Sequence, residues 1–184
     1  MEGRGHPVHD GHDCSASTRL TISTVERVVA VEPNDGATKR ADARISRARV
    51  PIELRVAPGD ELPADDASFD CVVTSLVLCS VTDLGRTLSE IRRVLKPGGR
   101  YLLFEHGLCD DPKVQKWQHR MNGFPKRVFG GCHLDRPIHR AVEESGFTFE
   151  AVENFYLKAG PRFGSFCTVG TAVPGAPLAS IGGS

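Results

Sequence analysis

The sequence holds 184 residues with 23 basic and 23 acidic side chains, so its formal charge is zero. Neutrality excludes a general nucleic-acid binder, which needs a concentrated surplus of Lys and Arg, and a 40% hydrophobic share excludes a mainly disordered chain. No run approaches the roughly 18 apolar residues of a membrane span, and the start MEGRGHPVHDGHDCSAS lacks the apolar centre of a signal peptide, so the default compartment is the cytosol.

From residue 25 onward, short apolar runs alternate with helical patterns. Val28-Val29-Ala30-Val31 ends at Glu32 and the turn Pro33-Asn34-Asp35-Gly36, as suits a strand buried on both faces. Residues 37–49 read as a helix, and Ile52 to Val56 as a second strand that leads into the loop Ala57 to Pro63. Phe69 to Thr74 is a third strand. Leu84, Leu88, Ile91 and Leu95 then share one face of a helix, capped by Thr82 or Asp83 and stopped by Lys96-Pro97-Gly98-Gly99. Arg92, Arg93 and Lys96 near its end complement the helix dipole. Arg100 to Glu105 is a fourth strand, residues 112–128 form a less regular helix, and Asp135-Arg136-Pro137 opens a short helix ended by Gly146. Alternating segments 148–157 and 163–173, joined through Lys158-Ala159-Gly160-Pro161, make a hairpin that closes the sheet with an antiparallel strand. The class is α/β. Residues 1–24 are expected to be an atypical flexible segment, 25–173 the domain, and 174–184 a flexible tail.

The six cysteines, Cys14, Cys71, Cys79, Cys109, Cys132 and Cys167, form no C-x-x-C pair. They read as small buried hydrophobes in a reducing compartment, with no metal site assigned. His6, His9 and His12 recur every third residue, but on a Gly- and Asp-containing tail without a scaffold they read as a disordered segment.

Ligands of open parallel sheets lie at the carboxyl ends of the strands. The residues there are Glu32, Gly59-Asp60, Ser75-Leu76 and Glu105-His106. Glu32 is either an acceptor for two ribose hydroxyls or a solvated turn acid. Asp60, behind a glycine that admits a flat ring, either accepts from an exocyclic amine or forms a turn.

The segments VVAVEPN, APGDELP, DASFDCVVTSLVLCSV, EIRRVLKPGGRYLLFEHG and GGCHLDRP resemble the class I S-adenosylmethionine-dependent methyltransferases. The likeness is to the branch of ubiquinone/menaquinone methyltransferases and methyltransferase-like thiol and lipid enzymes. It covers roughly residues 25–173, with RVLKPGG its most specific part. The resemblance implies a Rossmann-like sheet, S-adenosyl-L-methionine as cofactor, and methyl transfer to a small or lipophilic acceptor. It places Glu32 on the ribose, Gly59 and Asp60 around the adenine with Glu61 and Leu62 nearby, and Ser75 and Leu76 along the methionine portion. Glu105, His106, Trp117, Cys132 and His133 would face the acceptor. Alignment of nucleophile, methyl and sulfur is the main requirement of such a transfer. His106 or His133 is either the base that accepts a proton near neutral pH or a structural hydrogen-bonding residue.

The family pattern also expects a strand and a G-x-G-x-G loop about 20 residues before the ribose acid. The sequence there is His9-Asp10-Gly11-His12-Asp13-Cys14, without an apolar strand ahead of it. Leu20 to Ser23 is separated from the next strand only by Thr24-Val25-Glu26, too little for a helical crossover. The first βα unit is therefore expected to be missing or replaced, as in a gene fragment or a misplaced start, and cofactor affinity to be weakened. The strands ending at Glu32 and Thr74 would then present unpaired edges, open to segment 19–24 or to self-association with another chain. Two rival readings follow: a non-catalytic methyltransferase-like binding module, and an NAD-dependent oxidoreductase, which RVLKPGG and the terminal hairpin disfavour.

Overall fold

The computed structural model describes residues 25–34, 36, 41, 45–123, 131–158 and 160–175. The expectations for segment 1–24, its three histidines and Cys14, most of the 37–49 helix, residues 124–128 and the tail beyond Gly175 lie outside them. Gly36, Ala41 and Ile45 are helical.

Among the described residues, these elements follow one another: β1 (Val28–Val31), β2 (Ile52–Arg55), β3 (Phe69–Ser75), α1 (Leu84–Val94), β4 (Leu95–His106), α2 (Pro112–Met121), α3 (Ile138–Glu144), β5 (Phe147–Tyr156), α4 (Arg162–Ser165) and β6 (Phe166–Pro174). The strands form two sheets. β1 and β2 pair in parallel, and a four-stranded sheet has the order β3-β4-β6-β5. β4 runs parallel to β3, whereas β6 is antiparallel to both β4 and β5. The expected hairpin is present, and its second strand is inserted between β4 and the edge strand β5.

Apolar alternation along β4 builds the core. Tyr101 and Leu103 pack with Leu88 and Ile91 of α1 and with Ile138 and Val142 of α3. Each such side chain gains about 1.5–3 kcal/mol by leaving water. The Tyr101 hydroxyl lies 2.8 Å from the Thr74 hydroxyl, which satisfies both inside the core.

Two boundaries differ from the expectation. Leu95 belongs to β4 and not to the helix, because Pro97 removes a helical donor and forces Lys96 towards an extended conformation. Leu95 stays buried because the chain turns back onto the same core. Residues 163–165 are helical, not strand: Pro161 precedes α4, and Gly164 and Ser165 add no strand preference. Arg93 is also more than a helix-dipole partner. Its guanidinium binds Glu90, Asp66 and the carbonyls of Leu62 and Ala64, tying α1 to the loop after β2.

Among the described residues nothing pairs with β3 on the side away from β4, nor with β1 on the side away from β2. Val28 on β1 and Val73 on β3 are 36% and 58% exposed, so apolar side chains accompany the open edges. No described helix is long and apolar enough to cross a membrane.

Candidate functional site

Glu32 leaves β1 half-buried. Its main-chain N–H donates to Arg55 O at 3.1 Å, and its carboxylate accepts the Asn34 N–H at 3.0 Å, which leaves further acceptor capacity. Gly59 and Asp60 sit half-buried in the loop after β2. A Cβ on Gly59 would stand 3.4 Å from Val81 and 3.6 Å from Thr87, so this loop packs on the start of α1. Ser75 and Leu76 are exposed at the end of β3. Leu76 holds φ +55°, a left-handed conformation that costs a non-glycine residue about 1–2 kcal/mol. Its N–H donates to Phe104 O at 2.8 Å, which fixes the turn. Such strain is concentrated where a loop must follow a set path past a ligand. The structure therefore brings Gly59 to the loop that leaves β3, while Glu32 stands on the other sheet.

Glu105 was expected to face an acceptor. It is fully buried instead, and its carboxylate accepts the N–H groups of Val77 and Leu78 at 3.1 and 3.0 Å. Burial raises its pKa to about 7 despite those bonds. Glu105 thus holds the β3–α1 loop in place.

That loop carries Cys79. Its carbonyl accepts from the His133 N–H at 2.7 Å, and Arg136 donates to Leu78 O and Val81 O at 2.5 and 2.7 Å. Two segments distant in sequence are stitched together in this way, and Cys132 reaches Cys79. The Cys132 thiol and the Ser80 hydroxyl, helped by the Arg136 guanidinium, hold Cys79 below the ordinary thiol range; Cys132 is correspondingly raised. His106, at the end of β4, is half-buried, yet its Nε2 is shielded from solvent and has no hydrogen-bond partner. Burial lowers its pKa and favours the neutral imidazole. Cys79, His106 and Cys132 place one donor atom each within 4.8 Å of one another. Sequence spacing gave no hint of this cluster, because its members come from three separate segments: the β3–α1 loop, the end of β4 and the segment before α3.

Trp117 on α2 is 57% exposed. Gln118 beside it is buried, accepting from Cys109 N and donating to Gly107 O at 2.9 and 3.0 Å, so it locks α2 to the exit of β4. A pocket of about 210 Å³ between Gly107, Leu108 and α3 contains none of the expected site residues.

Comparison with known proteins agrees with this fold. The methyltransferase-domain family profile matches residues 13–103. Thiol S-methyltransferase TMT1B of Rattus norvegicus is 34% identical over 128 residues, covering 66% of this chain and 52% of that protein. The chain belongs to the class I S-adenosylmethionine-dependent methyltransferases. The ubiquinone/menaquinone C-methyltransferase UbiE of Hahella chejuensis is 45% identical over 65 residues, which is 35% of this chain and 26% of that one. In fold, a candidate methyltransferase of Bacillus halodurans superposes with a TM-score of 0.66 at 18% identity, over 82% of this chain and 84% of that one. The chain spans about half the length of the thiol methyltransferase it matches.

Within this methyltransferase domain, the described residues fit the adenosine part of the family's cofactor. Glu32 and Asp60 are carboxylates at the exits of the paired strands β1 and β2, and Leu76, at the exit of β3, is held in a left-handed conformation. The counterpart of the glycine-rich loop falls outside the described residues.

Proposed function

We propose that this methyltransferase domain binds S-adenosylmethionine and methylates a small thiol. Glu32 would accept from the ribose hydroxyls and Asp60 from the adenine amine, with Ser75 and Leu76 beside the methionine portion. The bound cofactor supplies a methyl group on a positively charged sulfur, a leaving group that is already activated. The chain's own task is to align the acceptor and exclude water. A small thiol is partly ionised near neutral pH and its proton leaves to solvent, so no protein base is required. The observation that carries the thiol over the quinone is the extent of likeness: the thiol methyltransferase aligns over 128 residues, the UbiE protein over 65.

Calorimetry with S-adenosylmethionine, followed by mass detection of methylated thiol and of methylated quinol in parallel, tests the reading. Saturable binding that is weakened about tenfold or more by Glu32→Ala, with methyl on the thiol alone, is expected. Methyl on the quinol alone would move the assignment to carbon acceptors. No binding at millimolar cofactor would leave the non-catalytic reading standing.

A further inference from the structure

We propose that Cys79, His106 and Cys132 form a zinc site. Two sulfurs and one imidazole nitrogen lie within 4.8 Å of one another. Tetrahedral bonds of about 2.3 Å to sulfur and 2.0–2.1 Å to nitrogen set these donors about 3.5–3.8 Å apart. Closing on an ion therefore asks each donor to shift by about 1 Å or less.

The surroundings already hold the donors in place. His133 N–H and the Arg136 guanidinium bind the main chain of residues 78–81, and Glu105 binds that loop from below. Asn122 accepts the Leu134 N–H at 3.1 Å, anchoring the segment that bears Cys132. Cys79, Cys132 and Leu134 also pack as a small apolar cluster against Phe163. Apolar packing alone explains the burial of the sulfurs but not the shielded, unpartnered Nε2 of His106. A cation bound through Nε2 would satisfy that nitrogen, which otherwise carries the cost of a lost hydrogen bond.

Donor chemistry selects the ion. Two thiolates and an imidazole suit zinc and exclude magnesium and calcium, which take oxygen ligands. Two thiolates balance the charge of the ion, and the two thiol protons pass to solvent as it binds. Three protein donors leave one position to water or an incoming ligand, the arrangement of zinc sites that act on a ligand and not only hold a fold.

The full chain, reduced with a phosphine and stripped with a chelator, is titrated with zinc chloride against a chromogenic competitor. One zinc per chain is expected. Cys79→Ser and Cys132→Ser should each weaken binding about 100-fold or more, and His106→Ala at least about 10-fold. Cys71→Ser, on β3 outside the cluster, should change nothing. Cobalt(II) in place of zinc should show thiolate-to-metal charge-transfer absorption in the unsubstituted chain. Absence of stoichiometric zinc, absence of those cobalt bands, or equal affinity in the Cys79→Ser/Cys132→Ser double variant would overturn the proposal. The cobalt spectrum of the unsubstituted chain decides the matter even where a variant unfolds. Neither cofactor nor acceptor is in the titration, so its result is independent of whether methyl transfer is found.

Discussion

Glu105 shows how one side chain can organise a site without touching a ligand. Its carboxylate accepts from two consecutive main-chain N–H groups at the exit of β3, so the path of residues 76–81 depends on it. In Glu105→Ala those N–H groups lose their acceptor inside the fold, and a void replaces the carboxyl. A loss of about 2–4 kcal/mol is expected from urea denaturation at neutral pH. Glu150→Ala is the contrast. Its carboxylate is an exposed partner of Arg100 at 3.3 Å, and removal should cost no more than about 1 kcal/mol. Equal midpoints for the two variants would mean that water replaces the Glu105 carboxylate at no cost. The sequence showed an acid at a strand exit, the same pattern for a ligand acceptor and for a loop clamp. Only the fold distinguishes them, because the two oxygens turn back onto Val77 and Leu78.

At the level of elements, α1 was legible because its apolar spacing and its cap agree. Asp83 accepts the Arg86 N–H at 2.9 Å, and Leu88 and Ile91 face the core. Asp83→Ala should therefore lower stability by about 1 kcal/mol while Asp83→Asn keeps most of it, as thermal melts would read. An unchanged melting temperature in Asp83→Ala would show that water serves the helix start equally well. The far end of α1 was less legible. Leu95 satisfies the helical period yet belongs to β4, since spacing reports which face is buried and not whether the backbone is still helical. The terminal hairpin teaches a similar lesson. Its two strands were visible as alternation, but the insertion of β6 beside β4 is a matter of long-range pairing, Tyr101 with Ala172 through His106 with Cys167. Local pattern carries no information about which neighbour a strand will choose. The approach of Cys79 to His106 and Cys132 escaped notice for the same reason.

For the whole molecule, the consequential feature is the division of the sheet. The expectation of an open gap came from counting: Thr24-Val25-Glu26 is too short for a crossover before β1. Among the described residues β1 pairs only with β2, and β3 only with β4. Two strands of four residues each bury little by themselves and are marginal as an isolated pair. Their tie to the larger unit runs through the loop after β2, where Leu62 N–H meets Glu90 at 2.9 Å and Arg93 holds the Leu62 and Ala64 carbonyls. β4, in contrast, lies between β3 and β6 and supplies Tyr101 and Leu103 to the core. The two sheets should thus differ in local stability. Native-state hydrogen exchange is expected to show amides of β1 and β2 opening at least about 2 kcal/mol more easily than those of Leu102 to Glu105, roughly 30-fold in rate. Added S-adenosylmethionine should narrow the difference if Glu32 holds the ribose, because ligand bound at the end of β1 stabilises the sheet from which Glu32 projects. Equal protection of both sheets without ligand would mean that they open as one cooperative unit, with the β2–α1 loop transmitting the full stability of the core to β1.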